Sequence, residues 1–249
     1  MDSMKTLIKK TFSPKLILTI LTWKHLRQKF SELQLIKVLV PQNTSTIDIG
    51  VYMGVFSNVM ARHSKNVYSF EPHPQHYTFS KTALPSNVEI FNTALSNEQG
   101  ETTLTVPKLY PSAGKVGGSF EGLEVEEYTV KKTTLDSFNF DNISLIKIDA
   151  EGHEYEILMG ALDTINSNKP CLIIEIEQRH QERSVQVVFD FILNLGYEGF
   201  FIMNKNINKL ELFDLSFQKG TEIGVEGKYI NNFIFIHKDN LKNFPQFLL

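Results

Sequence analysis

Disulfides, a basic excess and a membrane-length apolar run are all missing from this chain of 249 residues. Its one cysteine, Cys171, sits in an apolar stretch and cannot form an internal bridge, so a packing role in a reducing, cytoplasmic setting is expected. Lys and Arg number 25 against 28 Asp and Glu, a net charge of −3, which argues against a general nucleic-acid binder and leaves room only for a local basic patch. The apolar run at residues 16–23 is interrupted by two threonines and falls far short of the ~20 residues that span a bilayer. Lys5, Lys9, Lys10 and Lys15 precede it, as in a targeting signal. Lys24, His25 and Arg27 follow without a small-residue cleavage site, so a cleaved leader is not expected. No repeat or low-complexity tract occurs. His73 and His76 lack the cysteine or carboxylate cluster that a metal site needs, so no metal is expected.

What is present is material for one α/β core: 42% hydrophobic and 21% charged residues at a length such folds reach with a single interior. The chain is organised around Thr46-Ile-Asp-Ile-Gly50 and Val67-Tyr-Ser-Phe-Glu71, read as strand, glycine turn, helix, and a second strand closed by a carboxylate. Gly50 and Gly54 permit a sharp turn into a helix and close approach of a ligand to the backbone. Glu71 lies about 20 residues beyond the first glycine, where a nucleotide-binding βαβ unit accepts hydrogen bonds from two ribose hydroxyls. The turn is D-x-G-x-x-x-G, with Tyr52 where a dinucleotide fingerprint has glycine. The acid Asp48 beside it suits a cationic or amine-bearing ligand better than a diphosphate. S-adenosylmethionine carries both an amine and a sulfonium, and an NAD(P)-linked oxidoreductase is the less favoured alternative.

Apolar residues Leu26, Phe30, Leu33, Ile36 and Val40 recur at three- and four-residue spacing, predicting one or two amphipathic helices over 15–39. Such helices either cap the sheet or touch a membrane surface, and the pattern fits both. A linker at 41–45 leads into the strand-turn unit. Phe56, Val59 and Met60 share a helix face, and Pro72 and Pro74 stop the second strand and open another helix. Residues 87–96 read as a third strand with Asn92, Thr93 and Ala94 at the ligand edge. Alternating β-branched stretches at 100–107 and 125–135 predict added strands in place of a crossover helix. The glycine-bearing loop between them, 107–122, is either a lid or acceptor surface or a plain connection.

The second informative stretch is Leu145-Ile-Lys-Ile-Asp-Ala-Glu-Gly-His-Glu154. A buried-type strand ends on Asp149, beside the same ligand. Glu151 and Glu154 fall near a helix start, where negative charge suits the dipole and capping alone explains them. Tyr155, Leu158, Met159 and Leu162 would form the apolar face. Further on, 171–177 is an apolar strand followed by charges, 185–195 an amphipathic helix ended by Gly196, and 197–203 with 229–237 a closing antiparallel pair, joined by a polar segment over 204–228.

With these residues in view the chain resembles the FkbM family of S-adenosylmethionine-dependent methyltransferases. The resemblance is carried by Asp48-Ile-Gly50 with Gly54, Phe70-Glu-Pro72, Asn92-Thr-Ala-Leu-Ser96, Thr134-Leu-Asp-Ser137 and the Lys147 to Glu154 motif, and it covers about residues 44–177. Where the family turn usually reads G-A-N-x-G, this chain has Gly50-Val-Tyr-Met-Gly54, one polar side chain fewer beside the cofactor. The resemblance implies a Rossmann-like class I methyltransferase fold: a mostly parallel sheet, an antiparallel C-terminal strand pair, helices on both faces and an inserted β-rich segment. Residues 1–43 would form an N-terminal helical segment and 44–249 the methyltransferase domain. The implied reaction is O-methylation of a sugar or glycan hydroxyl, with no nucleic-acid partner and room for peripheral membrane contact through the N-terminal helices. Asp48, Gly50, Tyr52, Gly54, Glu71, Pro72, Thr93, Ala94 and Asp149 are the expected cofactor-binding positions. Deprotonation of the hydroxyl falls to one of Asp149, Glu151, His153 and Glu175, with Asp149 equally suited to the methionine amine. A binding module without turnover is the alternative reading.

Overall fold

In the computed structural model, which describes residues 12–27, 31–181, 183–219 and 229–247, two helices precede the first strand. Helix α1 (Pro14–Leu26) starts where Ser13 Oγ accepts the Leu16 N–H and Pro14 supplies a preset φ at a position needing no donor. Helix α2 (Glu32–Leu39) follows, and its Leu33, Ile36 and Leu39 are buried. Phe30, Lys5, Lys9 and Lys10 of the sequence pattern lie outside the described residues.

The chain then alternates between strand and helix: β1 (Ser45–Ile49), α3 (Val55–Met60), β2 (Val67–Phe70), α4 (Pro74–Ala83) and β3 (Val88–Phe91). These three strands pair in parallel. Residues 87–96 are not one strand, as the sequence suggested. Asn92 Nδ2 donates to the carbonyls of Glu71 and Pro72 (2.8 and 3.0 Å), the chain leaves the sheet there, and β4 (Ala94–Leu95) joins a second sheet. That sheet holds β4, β7 (Val125–Thr133), β5 (Gly100–Pro107) and β6 (Lys115–Val116) in that order. It is the inserted β-rich segment.

The main sheet resumes on the other side of β1 with β8 (Ile143–Ile148), followed by α5 (Glu154–Met159), α6 (Leu162–Asn168), β9 (Cys171–Glu175), α7 (Val185–Asn194), β10 (Tyr197–Met203), β11 (Asn206–Lys209) and β12 (Asn232–His237). Its order is β11-β10-β12-β9-β8-β1-β2-β3. Strands β9, β8, β1, β2 and β3 run in parallel, while β12 pairs antiparallel with both β9 and β10. The direction of winding reverses between β1 and β8, and ligands of open α/β sheets bind outside the carboxyl ends at that switch point.

Both faces of the central strands are apolar because both are covered. On one side Ile47, Ile146, Leu172 and Phe233 pack with Ile157 of α5 and Val188 and Phe189 of α7. On the other, Leu145, Ile173 and Ile234 meet Leu33, Ile36 and Leu39 of α2 and Met60 of α3. Each fully buried side chain of this kind stabilises by roughly 1.5–3 kcal/mol. Cys171 is buried in the second cluster. Helix α5 is shorter than expected and Met159 is 39% exposed, since the helix stops at Gly160, where a Cβ would stand 2.0 Å from the Ser96 carbonyl oxygen. Among the described residues no helix is long and apolar enough to cross a membrane.

Candidate active site

The carboxyl ends of β1, β2, β8 and β9 surround a cavity of about 170 Å³. The turn after β1 forms its floor. Gly50 has φ +79°, and a Cβ there would lie 1.8 Å from the Asp149 carbonyl oxygen, so a neighbouring strand end, rather than a ligand, already demands glycine. Tyr52 is also left-handed (φ 49°), a conformation in which asparagine is enriched and tyrosine is strained. The family's asparagine therefore suits the backbone at this position, and Tyr52 instead packs edge-on against His76 (4.7 Å between ring centres).

Glu71 fastens this turn to the end of β2. Its Oε2 accepts the Tyr52 N–H (2.7 Å) and its Oε1 the His73 N–H (2.9 Å). Burial pushes its carboxyl up to about 7, although these two donors and Lys147 oppose the shift. Pro72, Thr93 and Ala94 line the cavity next to it.

Asp48 does not reach the cavity. It is wholly buried, with Oδ2 accepting the Ser57 hydroxyl (2.5 Å) and Oδ1 lying 3.7 Å from Lys147 Nζ. The expectation that it faces the cofactor is corrected: strand alternation turns it under α3, whereas Glu71 lies past the end of β2. Gly54 is likewise outside the lining, where it caps α3 against the Leu84 side chain.

Lys147, quoted in the sequence motif without a role, joins the strand tips. Its Nζ donates to the Gly50 carbonyl (3.0 Å) and to Asp149 Oδ2 (3.1 Å), beside Asp48. Burial alone would lower its pKa, but Asp149 and Asp48 hold it above the ordinary lysine range. A charge inside the apolar run Leu145-Ile-Lys-Ile148 was the available signal, because buried lysines are almost always paired. Asp149 lines the cavity with its side chain about one-third exposed, and its N–H donates to Ile49 across the β1–β8 junction.

The loop after β8 supplies two more groups. Glu154 fastens the loop that precedes its helix, its Oε1 accepting the Ala150 and Gly152 N–H groups (3.1 and 3.0 Å), so the helix-capping role that the sequence suggests is not the one it fills, and burial pushes it up to about 7. Glu151 lines the cavity but is no cap: its Oε2 stands 2.6 Å from His180 Nδ1. His153 lines the cavity too, with Nε2 3.0 Å from Ser96 Oγ and Nδ1 3.8 Å from Glu156. Burial holds its imidazole below the ordinary histidine range, so the neutral form prevails near pH 7. Glu175, at the end of β9, accepts from Asn231 Nδ2 (2.7 Å). Burial, together with Asp149 and Glu177, pushes it up to about 10, and it is protonated at neutrality.

The β-rich segment closes the remaining side through Leu104, Pro111, Ser112, Gly114 and Val116, so the loop at 107–122 does border the cavity. His73 and His76, stacked 4.1 Å apart, form part of the wall. Among the described residues no three His, Cys, Asp or Glu side chains gather into a metal site.

A mainly parallel sheet of this order, with β12 and β11 reversed, and an acid-lined cavity at the switch point are the architecture of a class I S-adenosylmethionine-dependent methyltransferase. Residues 48–198 match the FkbM methyltransferase domain model, and the chain belongs to that family. S-adenosylmethionine is accordingly its methyl donor, and a cavity with Glu71 at one strand tip and Asp149 at another suits a ligand with hydroxyl and amine donors. Among solved structures the chain is similar to the FkbM methyltransferase of Methylobacillus flagellatus KT, with 15% identity over 78% of this chain and a TM-score of 0.48. It spans 43% of that protein's length. It is also similar to an rRNA methylase from Streptococcus thermophilus, with 11% identity, coverage of 83% of this chain and 93% of that one, and a TM-score of 0.47. A Streptococcus mutans protein in complex with SAH matches at 10% identity over 82% of this chain and 94% of that one, with a TM-score of 0.48. No curated protein matches the chain by sequence.

Proposed function

We propose that the protein transfers the methyl group of S-adenosylmethionine to a hydroxyl of a neutral sugar or glycan-containing acceptor. The observation that carries this reading is the hydrogen-bonding character of the cavity wall. Glu71, Asp149, Glu151 and Glu175 line it with three histidines, and no lysine or arginine does so among the described residues. Carboxyl oxygens accept hydrogen bonds from hydroxyl groups, while a wall with no lysine or arginine among the described residues offers no counter-charge to the phosphates of a nucleic acid or nucleotide acceptor.

In this reading Glu71 accepts the two ribose hydroxyls, Thr93 and Ala94 border the adenine, and Gly50, Tyr52 and Pro72 complete the cofactor side. Asp149, aligned by Lys147, takes the methionine amine. The cofactor supplies an electrophilic methyl whose bond to sulfur breaks as the bond to the acceptor oxygen forms. His153 is the base. Asp149 is neutralised by Lys147, Glu151 by His180, and Glu175 holds its proton, whereas His153 is neutral and able to take one. Exchanging its Ser96 contact for the acceptor hydroxyl would move the hydroxyl proton to the ring, with Glu156 balancing the imidazolium. Glu175, whose proton is shared with Glu177, lines the acceptor side. The catalytic domain is assigned to 44–249, with 1–43 as a helical lead-in, and buried Cys171 suits a reducing cytoplasm.

The test is transfer from methyl-labelled S-adenosylmethionine to fractionated neutral glycans, glycolipids and RNA. Label in a glycan fraction as a base-stable methyl ether supports the reading. Label in RNA alone, or cofactor binding with no transfer to any fraction, contradicts it.

A further inference from the structure

Helix α1 has two apolar faces, and the described residues cover one of them. Leu18 packs with Val51, Ala83 and Leu84, and Thr22 accepts a hydrogen bond from Asn58 Nδ2 (2.8 Å), which clamps the helix onto α3 and α4. On the outer side Leu16, Ile20 and Trp23 are 43, 52 and 58% exposed at i, i+4 and i+7, and Phe12, just ahead of the helix, is exposed as well. A contiguous apolar row facing water marks an interaction surface more often than scattered single residues do.

The charges around the row say what it meets. Lys15, Lys24 and Arg27 are exposed on the same helix and its end, with the Arg27 guanidinium 4.3 Å over the Trp23 ring. Residues 1–30 contain seven Lys and Arg and a single acid, Asp2, in a chain whose total charge is −3. The remainder is therefore acidic on balance. Such polarity orients a protein with this end toward a negative surface.

We propose that α1 docks the protein on the surface of an anionic phospholipid bilayer. Leu16, Ile20 and Trp23 enter the boundary between headgroups and acyl chains, where tryptophan is favoured, and Lys15, Lys24 and Arg27 contact lipid phosphates. At 13 residues the helix lies on the membrane and does not cross it. A second copy is the poorer occupant, because stacking α1 on α1 brings two basic ends together. The proposal is independent of the acceptor assignment.

Trp23 is the only tryptophan of the chain, so its emission reports on this face alone. The full chain is mixed with phosphatidylcholine vesicles with and without phosphatidylglycerol, and binding is followed by co-sedimentation and by tryptophan fluorescence. Partition into the phosphatidylglycerol vesicles with a blue shift, weakened by added salt, is expected. The double substitution Leu16→Gln with Ile20→Gln should lower the partition coefficient about tenfold or more while leaving thermal midpoint and cofactor affinity unchanged. Lack of partition, equal partition into pure phosphatidylcholine, or full retention by the double variant overturns the proposal. So does a lipid-free dimer that itself shifts the Trp23 emission and is lost in that variant.

Discussion

The ammonium of Lys147 lies 3.0 Å from the carbonyl oxygen of Gly50, tying the carboxyl end of the apolar strand β8 to the turn that opens the cavity beside β1. Two carboxylates, Asp48 and Asp149, share the same cation. Lys147→Met removes the charge that neutralises both and should destabilise the protein by about 3–5 kcal/mol, the usual consequence of stranding a buried partner. Denaturant titration checks this. A loss below about 1 kcal/mol would mean that the three groups are not coupled through the lysine.

Gly50→Ala should be at least as damaging. The added methyl would meet the Asp149 carbonyl at 1.8 Å, and φ +79° is unfavourable for any residue with a Cβ. A destabilisation of about 3 kcal/mol or more, or failure to fold, is expected. Near-normal thermal stability would place the β1 and β8 ends further apart than described.

Three groups held above their ordinary range, buried Glu71 and Glu154 and half-buried His180, give stability the same pH dependence. Glu71 and Glu154, pushed by burial from 4.5 up to about 7, favour the folded state fully below 4.5, and that contribution is lost as pH rises through about 7. His180 is held up to about 9, burial opposing and Glu151 and Glu177 prevailing, so its contribution is complete below 6.5 and lost through about 9. The melting temperature of the ligand-free protein should therefore fall between about pH 6 and about pH 9. A rising or flat profile there contradicts these assignments.

His153→Ala should reduce kcat by about 10²–10⁴-fold and leave cofactor affinity within about twofold, as expected for loss of a general base. The kcat profile of the wild type should rise with pH on a limb below the ordinary histidine value of 6.5, where burial places this imidazole. An unchanged kcat moves the base to Asp149, whose Asn variant then becomes the informative one.

Much of this site was legible because the order strand, glycine turn, helix, strand, acid is a local pattern that puts Glu71 at the tip of β2, and a separate apolar run puts Asp149 at the tip of β8, on the other side of β1. Asp48 was misplaced because a strand residue points to one of two faces, and which face is covered by α3 depends on packing. Glu151 and Glu154 looked alike in sequence, yet neither caps the helix: Glu154 turns back to accept two N–H groups of the preceding loop, and Glu151 partners His180, a residue 29 positions further on. The break at Asn92 depends on hydrogen bonds to Glu71 and Pro72, which no periodicity records. Lys147 did leave a trace, a lone charge in an apolar run, but its three partners come from two strands.

The most direct test is calorimetric titration of the full chain with S-adenosylhomocysteine, for the wild type and for Glu71→Gln, a change that keeps the side chain's size while removing its charge. The account predicts binding by the wild type and an affinity lower by about 10–100-fold in the variant, the range for hydrogen bonds to a charged group. Equal affinity in the two proteins would show that the ligand does not reach the end of β2.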